Sequence, residues 1–232
     1  MNEKILMIET STECCSVALS EGERIVARKV DETPRVQSSL LAPYIENVLQ
    51  EAKLAATDLD AVAVSAGPGS YTGLRVGVST AKGLCFGSRK PLIGVDTLRI
   101  LALQAQGRFR RIVPMLDARR MEVYAARFDG DGTRLDETQA VILDADSYRD
   151  DLDAGTVLFI GTGAEKFSRV CTHPNASFQP CFPLAEAMLK PALESLQKKE
   201  FEDVAYFEPF YLKEFVAGVS KKSVIPGLTG NL

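Results

Sequence analysis

Two short loops of this chain place small hydroxyl and glycine residues where strands are expected to end. Thr10-Ser11-Thr12 follows an apolar run that begins at Lys4, and Gly161-Thr162-Gly163 follows the apolar run at 157–160. Turns of this composition after a strand can face a phosphate with their backbone amides and hydroxyls. The two loops are therefore candidates for opposite sides of a nucleotide phosphate site.

A carboxylate stands at the end of the strand before two of the polar turns. Glu9 ends the first apolar run, and Asp117 ends the similar run that starts at Arg111. Carboxylates placed in this way can bind a magnesium-linked water. They can also simply cap the turns that follow them, and this structural interpretation is the one we favour.

The glycine-rich segment 67–73 separates a predicted strand from a predicted helix. Its spacing does not match the dinucleotide fingerprint, and no Gly-Lys-Ser/Thr follows to make a phosphate loop. A tight turn that brings a helix close to its neighbour explains it better. Within the helix, Gly73, Gly77 and Ala81 recur at four-residue steps, although each mid-helix glycine costs about 1 kcal/mol relative to alanine. Another element, internal or from a partner, should therefore approach this helix closely.

Residues for independent catalysis are scarce. His173 is the single histidine, which excludes the two-histidine helix motif of zinc proteases, and no Gly-x-Ser-x-Gly elbow is present for a serine triad. The five cysteines include no CxxC pair. The sequence predicts neither a catalytic constellation nor a metal site.

The overall charge argues against a protein that binds nucleic acid by itself. The chain has 232 residues, a formal net charge of −4 and a mean hydropathy near zero. Proteins that hold nucleic acid alone usually carry a basic stripe, so any RNA contact should be shared with another protein. No run approaches the roughly 20 apolar residues of a membrane span, and the unpaired cysteines fit a reducing compartment. We expect a cytoplasmic protein with no membrane contact.

The order of the predicted elements indicates an internal duplication. Residues 4–30 and 111–143 each read as strand, acidic residue, polar turn, strand, turn, strand. Further strands are predicted at 60–66, 91–95 and 157–160, and helices at about 35–53, 72–87, 97–106, 163–170 and 184–199. This pattern predicts an α/β fold made of two ribonuclease H-like units, the second of them reduced. The first unit should span 1–108 and the second 109–213, followed by a flexible tail at 214–232.

Four motifs carry a resemblance to a known family. They are Glu9–Glu13 with Cys15–Leu19, then Gly67–Gly77, then Asp117–Arg120 with Glu122–Tyr124, and finally Glu208-Pro209 with Tyr211-Leu212. They lie between residue 4 and about residue 217. On them the chain resembles the TsaB (YeaZ) family, the non-catalytic subunits of bacterial tRNA threonylcarbamoyladenosine synthesis.

The resemblance implies an actin-like ATPase fold and a role as an activating subunit without catalysis of its own. In the family the partner TsaD holds the metal and transfers the threonylcarbamoyl group to N6 of the tRNA adenosine adjacent to the anticodon. The ATPase TsaE joins the complex, tRNA is reached through the complex, and the subunit alone forms a homodimer. No intrinsic cofactor is implied, although ATP or ADP can bind at the complex interface.

The resemblance also places the partner surface on the first two long helices. Six residues of these helices are the expected contributors: Leu41, Tyr44, Leu74, Gly77, Val78 and Ala81. The chain departs from the family at Glu9, which is commonly aspartate and whose longer side chain would crowd a nucleotide phosphate, and at Val36, where many relatives carry a histidine. An independent ATP-binding kinase or ATPase of the same fold is the alternative. A peptidase is a weaker one.

Overall fold

The computed structural model describes residues 2–105 and 107–212, which form two mixed sheets flanked by helices. The first sheet contains β1 (Lys4–Glu9), β2 (Cys15–Glu21), β3 (Arg24–Asp31), β4 (Ala61–Gly67) and β5 (Leu92–Asp96). Its strand order is β3-β2-β1-β4-β5. The first three strands pair antiparallel, and β4 and β5 run parallel to β1.

The second sheet repeats this arrangement. It contains β6 (Arg111–Asp117), β7 (Glu122–Ala125), β8 (Phe128–Asp129), β9 (Gln139–Ile142), β10 (Val157–Ile160) and β11 (Ala176–Gln179). Its strand order is β11-β10-β6-β7-β9, and the short strand β8 also pairs antiparallel with β6. Antiparallel β6-β7-β9 and parallel β6-β10-β11 match the first sheet strand for strand. The predicted duplication of a ribonuclease H-like unit is confirmed.

The helices show that the second unit is the reduced one. The described helices are α1 (Gln37–Glu51), α2 (Tyr71–Ser88), α3 (Thr97–Ala102), α4 (Arg149–Asp153), α5 (Ala164–Ser168) and α6 (Leu189–Lys198). In chain order α4 and α5 are the counterparts of α1 and α2. They have five residues each, where α1 has 15 and α2 has 18.

Helices cover both faces of the first sheet, which explains why its central strands β1 and β4 are almost wholly apolar and buried. On one face α1 and α2 pack over side chains such as Leu6, Val17 and Val64. On the other face Met7 and Ile93 pack against α6 and the 3₁₀ turn Ala185–Met188. The hydrophobic core of the first unit therefore has two layers.

The position of α6 corrects the predicted unit boundary. Residues 109–213 were expected to form the second unit, but Ala185, Met188 and Ala192 are buried against the first sheet. The reason is the cover that a parallel sheet needs on both faces. Because α3 has only six residues, the chain returns from the second unit and supplies the rest.

Other elements also differ from their predictions. The second strand of the range 111–143, which the sequence predicts at 121–128, is broken after Ala125 into β7 and β8. The helix expected at 184–199 begins as a 3₁₀ turn, and Pro191 lies in the first turn of α6. The helix expected to reach residue 106 ends at Ala102, and α4 and β11 were not predicted. The expected flexible tail at 214–232 lies outside the described residues. Within the described ranges no helix is both long and apolar enough to cross a membrane.

Candidate functional site

The first candidate loop is tied to the start of α2. Thr10 and Ser11 are 0% and 1% exposed. The Thr10 hydroxyl donates to the Gly73 carbonyl at 2.7 Å, and the Ser70 amide donates to the Ser11 carbonyl at 2.6 Å. A Cβ atom at Gly73 would overlap the Thr10 carbonyl oxygen. The loop thus serves as a packing surface for α2, and the side chains of Thr10 and Ser11 face no open cradle.

Thr12, the third residue of this loop, is half-buried and faces α1. The side-chain amide of Gln37 donates to the Thr12 carbonyl at 2.7 Å and to the Glu13 carbonyl at 2.9 Å. This contact fixes the loop between the first residue of α1 and the N-terminal turn of α2. All three residues of the loop therefore contribute to holding the two long helices against the end of β1.

The second candidate loop is also engaged internally. The Gly161 amide donates to the Gln179 carbonyl at 3.0 Å, and the Gly163 amide donates to the Met115 carbonyl at 2.9 Å. The Thr162 hydroxyl accepts from the Asp117 amide at 3.0 Å. Both glycine amides of this loop already have acceptors within the chain, so they do not point at a phosphate. The side chains of Thr10 and Ser11 and the amides of Gly161 and Gly163 therefore offer no donor to a nucleotide phosphate in this conformation.

Glu9 is a fully buried carboxyl at the end of β1. Its Oε1 accepts from the Ser11 amide at 2.6 Å, while Oε2 has no hydrogen-bond partner within the described residues. Burial raises the pKa of Glu9 to about 7, and the polar groups of Ser11 and Ser65 beside it act in the opposite direction. The group therefore belongs to the interior of the first unit, and burial favours its neutral form.

Asp117 occupies the equivalent place at the end of β6 but has different surroundings. Its side chain is 49% exposed and accepts from the Lys166 ammonium at 2.9 Å. Its Oδ1 also accepts from the Arg119 amide at 2.6 Å. The predicted equivalence of Glu9 and Asp117 in the chain is confirmed, and Asp117 caps the polar turn that follows it.

The residues predicted to bind a partner lie mostly inside the protein. The exposed fraction is below 5% for four side chains, namely Leu41, Leu74, Val78 and Ala81. Gly77 is buried against the Thr10 hydroxyl. Tyr44 is half-buried and donates from its hydroxyl to Asp31 at 3.1 Å. The assignments of the five buried residues are corrected: they hold α1 and α2 on the sheet, because the apolar stripe of each helix faces the core. The role of Tyr44 at a partner surface stays a prediction.

The opposite face of α2 shows a feature that the sequence reasoning missed. A Cβ atom at Gly83 or at Gly87 would meet no described atom within 4 Å. Phe86 between them is 83% exposed. A signal was present in the sequence, since Ser79, Gly83 and Gly87 also recur at four-residue steps, offset by two positions from the buried series. The outer face of α2 thus has an exposed aromatic side chain beside two glycines without an internal packing role.

The last described segment covers the turn that leads into α2. The Phe210 amide donates to the Ala66 carbonyl at 2.7 Å, and the Tyr211 ring lies 5.0 Å from the Tyr71 ring. The Lys82 ammonium donates to the carbonyls of Ala205 and Phe207 at 3.1 Å each. The glycine-rich turn at 67–69 is therefore enclosed by the chain's own residues, as the tight-turn interpretation predicts.

The single histidine takes part in local structure. Its Nδ1 accepts from the Asn175 amide at 3.2 Å, so Nε2 of His173 carries the proton and faces Asp153 at 3.1 Å. Across residues 2–105 and 107–212 no group of three or more His, Cys, Asp or Glu side chains is arranged to hold a metal ion.

Taken together, the two matching sheets, the reduced second set of helices and the packed loops define a class. The chain is a duplicated ribonuclease H-like α/β protein with the actin-like ATPase fold. Residues 31–217 match the family model described as "TsaD: tRNA N6-adenosine threonylcarbamoyltransferase".

The relatives define the family more narrowly. The chain is 32% identical over 226 residues to the tRNA threonylcarbamoyladenosine biosynthesis protein TsaB of Escherichia coli, covering 92% of this chain and 96% of that one. The Haemophilus influenzae protein of the same name is 29% identical, covering 93% and 95%. The chain belongs to the TsaB (YeaZ) family, and its role lies in tRNA threonylcarbamoyladenosine biosynthesis.

Solved structures agree with this assignment. YeaZ from Pseudomonas aeruginosa has a TM-score of 0.78 at 31% identity, covering 90% of this chain and all of that one. A second Pseudomonas aeruginosa structure, described as similar to peptidase YEAZ, has a TM-score of 0.81 at 31% identity, covering 91% and 100%.

Proposed function

We propose that this chain is a non-catalytic, cytoplasmic subunit that pairs with a TsaD-type enzyme. That enzyme would transfer a threonylcarbamoyl group to N6 of the tRNA adenosine adjacent to the anticodon. The chain would activate its partner by binding it and would contribute no catalytic residue. A TsaE-type ATPase would join the complex, tRNA would be reached through it, and the isolated chain would form homodimers through the same surface.

The observation that carries this proposal is the outer face of α2. The inner glycines of this helix are explained by contact with Thr10, but Gly83 and Gly87 face no described atom. Each costs about 1 kcal/mol of helix stability relative to alanine. Glycines at four-residue steps allow another helix to approach the backbone closely, and the exposed Phe86 adds apolar area at the same place.

The first helix extends the proposed surface. α1 and α2 contact each other and cover the same face of the first sheet. The outward residues of α1, such as Ala42, Pro43 and Asn47, are exposed and small or polar. We define the partner face as this outward side of α1 together with Ser79, Gly83, Phe86 and Gly87 of α2.

The rival proposal, an independent ATPase or kinase, has little structural support. It needs phosphate donors at the two loops, where the Thr10 and Ser11 side chains are buried and the Gly161 and Gly163 amides are bonded within the chain. If ATP or ADP acts in this system, we propose that it binds at the interface of the complex. Turnover of ATP by the isolated chain would favour the rival.

The test is a reconstitution with and without this chain. The matching TsaD-type and TsaE-type proteins, tRNA and threonylcarbamoyl-adenylate are combined, and modified adenosine is measured by mass spectrometry of the digested tRNA. We expect modification to fall at least tenfold when the chain is left out. Unchanged modification without the chain would contradict the proposed function.

Variants locate the partner face in the same assay. Gly83→Leu and Phe86→Glu should abolish co-elution with the TsaD-type protein in gel filtration and lower modification equally. Ser168→Leu, at the exposed end of α5, is the matched control and should co-elute normally. Normal co-elution of both α2 variants would place the interface elsewhere.

A further inference from the structure

The hairpin between β6 and β7 holds two consecutive arginines in an unfavourable backbone conformation. Arg119 and Arg120 have φ angles of 73° and 49°. This left-handed region costs free energy for any residue with a Cβ atom, and glycine or asparagine normally occupies it. Across the described residues no other two neighbours share it. Arginine at both positions therefore needs an explanation beyond turn formation.

The half-buried side chain of Lys166 holds the turn in place through hydrogen bonds. The Lys166 ammonium donates to the Asp117 carboxylate at 2.9 Å and to the carbonyls of Arg120 and Glu122 at 2.8 Å each. The Lys166 side chain is only 13% exposed. The amide of Ala118 also donates to the Glu122 carbonyl at 3.0 Å. The backbone that carries the two arginines is thus held in one geometry.

Neither arginine has a counter-ion among residues 2–105 and 107–212. Both are exposed, and no ion pair of theirs occurs among the described residues. The nearby Asp117 carboxylate is occupied by Lys166 and by a backbone amide. Arg149 and Arg169 of the same unit each hold a carboxylate. The two guanidinium groups at the hairpin are left available for an anion from outside.

We infer that Arg119 and Arg120 form a phosphate clamp for the RNA backbone. This inference rests on the proposed function, since tRNA is the anionic macromolecule of that reaction. Guanidinium groups bind phosphate oxygens with paired hydrogen bonds, and two on one rigid turn suit neighbouring phosphates. Such contacts position an RNA without reading its sequence. They also give a chain of net charge −4 a local site for RNA.

The experiment measures tRNA binding by the complex of this chain with its TsaD-type partner, using fluorescence anisotropy. The salt concentration is varied from roughly 50 to 300 mM, because counterion release makes the affinity depend strongly on salt in this range. The Arg119→Gln/Arg120→Gln variant should bind about tenfold more weakly at the lowest salt. Its slope of log affinity against log salt should fall by roughly 1.4 to 1.8, because each lost phosphate contact removes about 0.7 to 0.9.

Three further variants separate binding from structure. Lys198→Gln/Lys199→Gln removes the same charge from another exposed pair and should leave affinity and slope unchanged. Arg119→Lys/Arg120→Lys should keep the slope. Arg119→Asn/Arg120→Gly should raise the melting temperature by roughly 2 to 4 °C, since it relieves the strained backbone, yet bind tRNA as weakly as the glutamine variant.

Gel filtration of every complex distinguishes the two levels of failure. If wild-type chain and partner do not co-elute, the proposed function fails and tRNA binding is not attributed to the pair. If they co-elute and the glutamine variant keeps wild-type affinity and salt slope, the clamp is overturned while the proposed function stands. An equal loss in the Lys198/Lys199 control would also overturn it, because the effect would then be general charge.

Discussion

The two faces of α2 carry glycines for different reasons. On the inner face, Gly73 and Gly77 lie against Thr10, and a side chain at either position would overlap that residue. On the outer face, a Cβ atom at Gly83 or Gly87 would meet no atom of the described residues within 4 Å. The inner pair is required by the fold of the chain itself. The outer pair lowers the stability of the helix, and no contact within the described residues requires glycine there. This is the pattern expected where another protein packs against the helix.

Glycine spacing alone does not identify an interface. Both series recur at four-residue steps, so both predict close approach by another element. Only the neighbours of each glycine decide whether that element belongs to the same chain. The inner series holds the loop after β1, and the outer series remains the candidate for a partner.

The largest expected effect comes from filling the inner face. Gly77→Leu should destabilise the protein by roughly 3 kcal/mol or more, because the new side chain overlaps Thr10 and contacts Val64 in a packed core. Urea denaturation followed by circular dichroism measures the change. Gly83→Leu is the matched control and should unfold at or above the wild-type denaturant concentration. If Gly77→Leu were as stable as the wild type, the inner glycines would not be required by packing within the chain, and the proposed difference between the two faces of α2 would be wrong.

The loop that supports the inner face should make stability depend on pH through Glu9. Its folded-state pKa of about 7 exceeds the unfolded value of 4.5, so the folded state binds more protons between these values and stability falls as pH rises through them. The expected loss is about 3 kcal/mol from pH 4.5 to pH 7.

Glu9→Gln removes this dependence and should be more stable than the wild type at pH 8. Denaturation series at pH 5, 6, 7 and 8 measure both proteins. Glu13→Gln, an exposed neighbour in the same loop, is the control and should follow the wild-type profile. A Glu9→Gln profile parallel to that of the wild type would show that burial of this carboxyl does not set the pH dependence.

The smallest effect is expected on the outer face. Gly83→Ala should stabilise the isolated chain by up to about 1 kcal/mol, because alanine is the better helix former and nothing described obstructs its methyl group. The same change should weaken binding to the TsaD-type partner, measured by calorimetry. Unchanged or tighter binding would mean that the outer glycines are not at a close helix contact.

Sequence patterns were most successful where burial is continuous along the chain. β1, β4, β6 and β10 were placed within one residue at almost every end, since an apolar run buried on both faces leaves little choice. Short elements with weaker patterns were missed or merged. α4 has five residues and β11 has four, so neither shows a full period of its own.

The sequence predicted where the two candidate loops lie in the fold, but the contacts of these loops differ from the predicted ones. Thr10 and Gly163 were expected to face a phosphate, and both are instead in contact with their own chain. The partner residues were sought on α1 and α2, which remain the proposed helices. The predicted partner residues, from Leu41 on α1 to Ala81 on α2, lie mostly on the buried faces of these helices. They were selected because hydrophobic spacing identifies the face of a helix that packs against the core.

Local sequence patterns were sufficient to predict the duplicated strand pattern, the tight glycine turn and the two long helices. These depend on local propensity and on period, which neighbouring residues encode. Three outcomes became visible only in the folded chain: α6 covers the first sheet, Glu9 is buried while Asp117 is exposed, and two glycines of α2 face inward while two face outward. Such outcomes depend on contacts between residues far apart in the chain. The period of a helix or strand identifies the face that packs, but it does not identify the element against which that face packs.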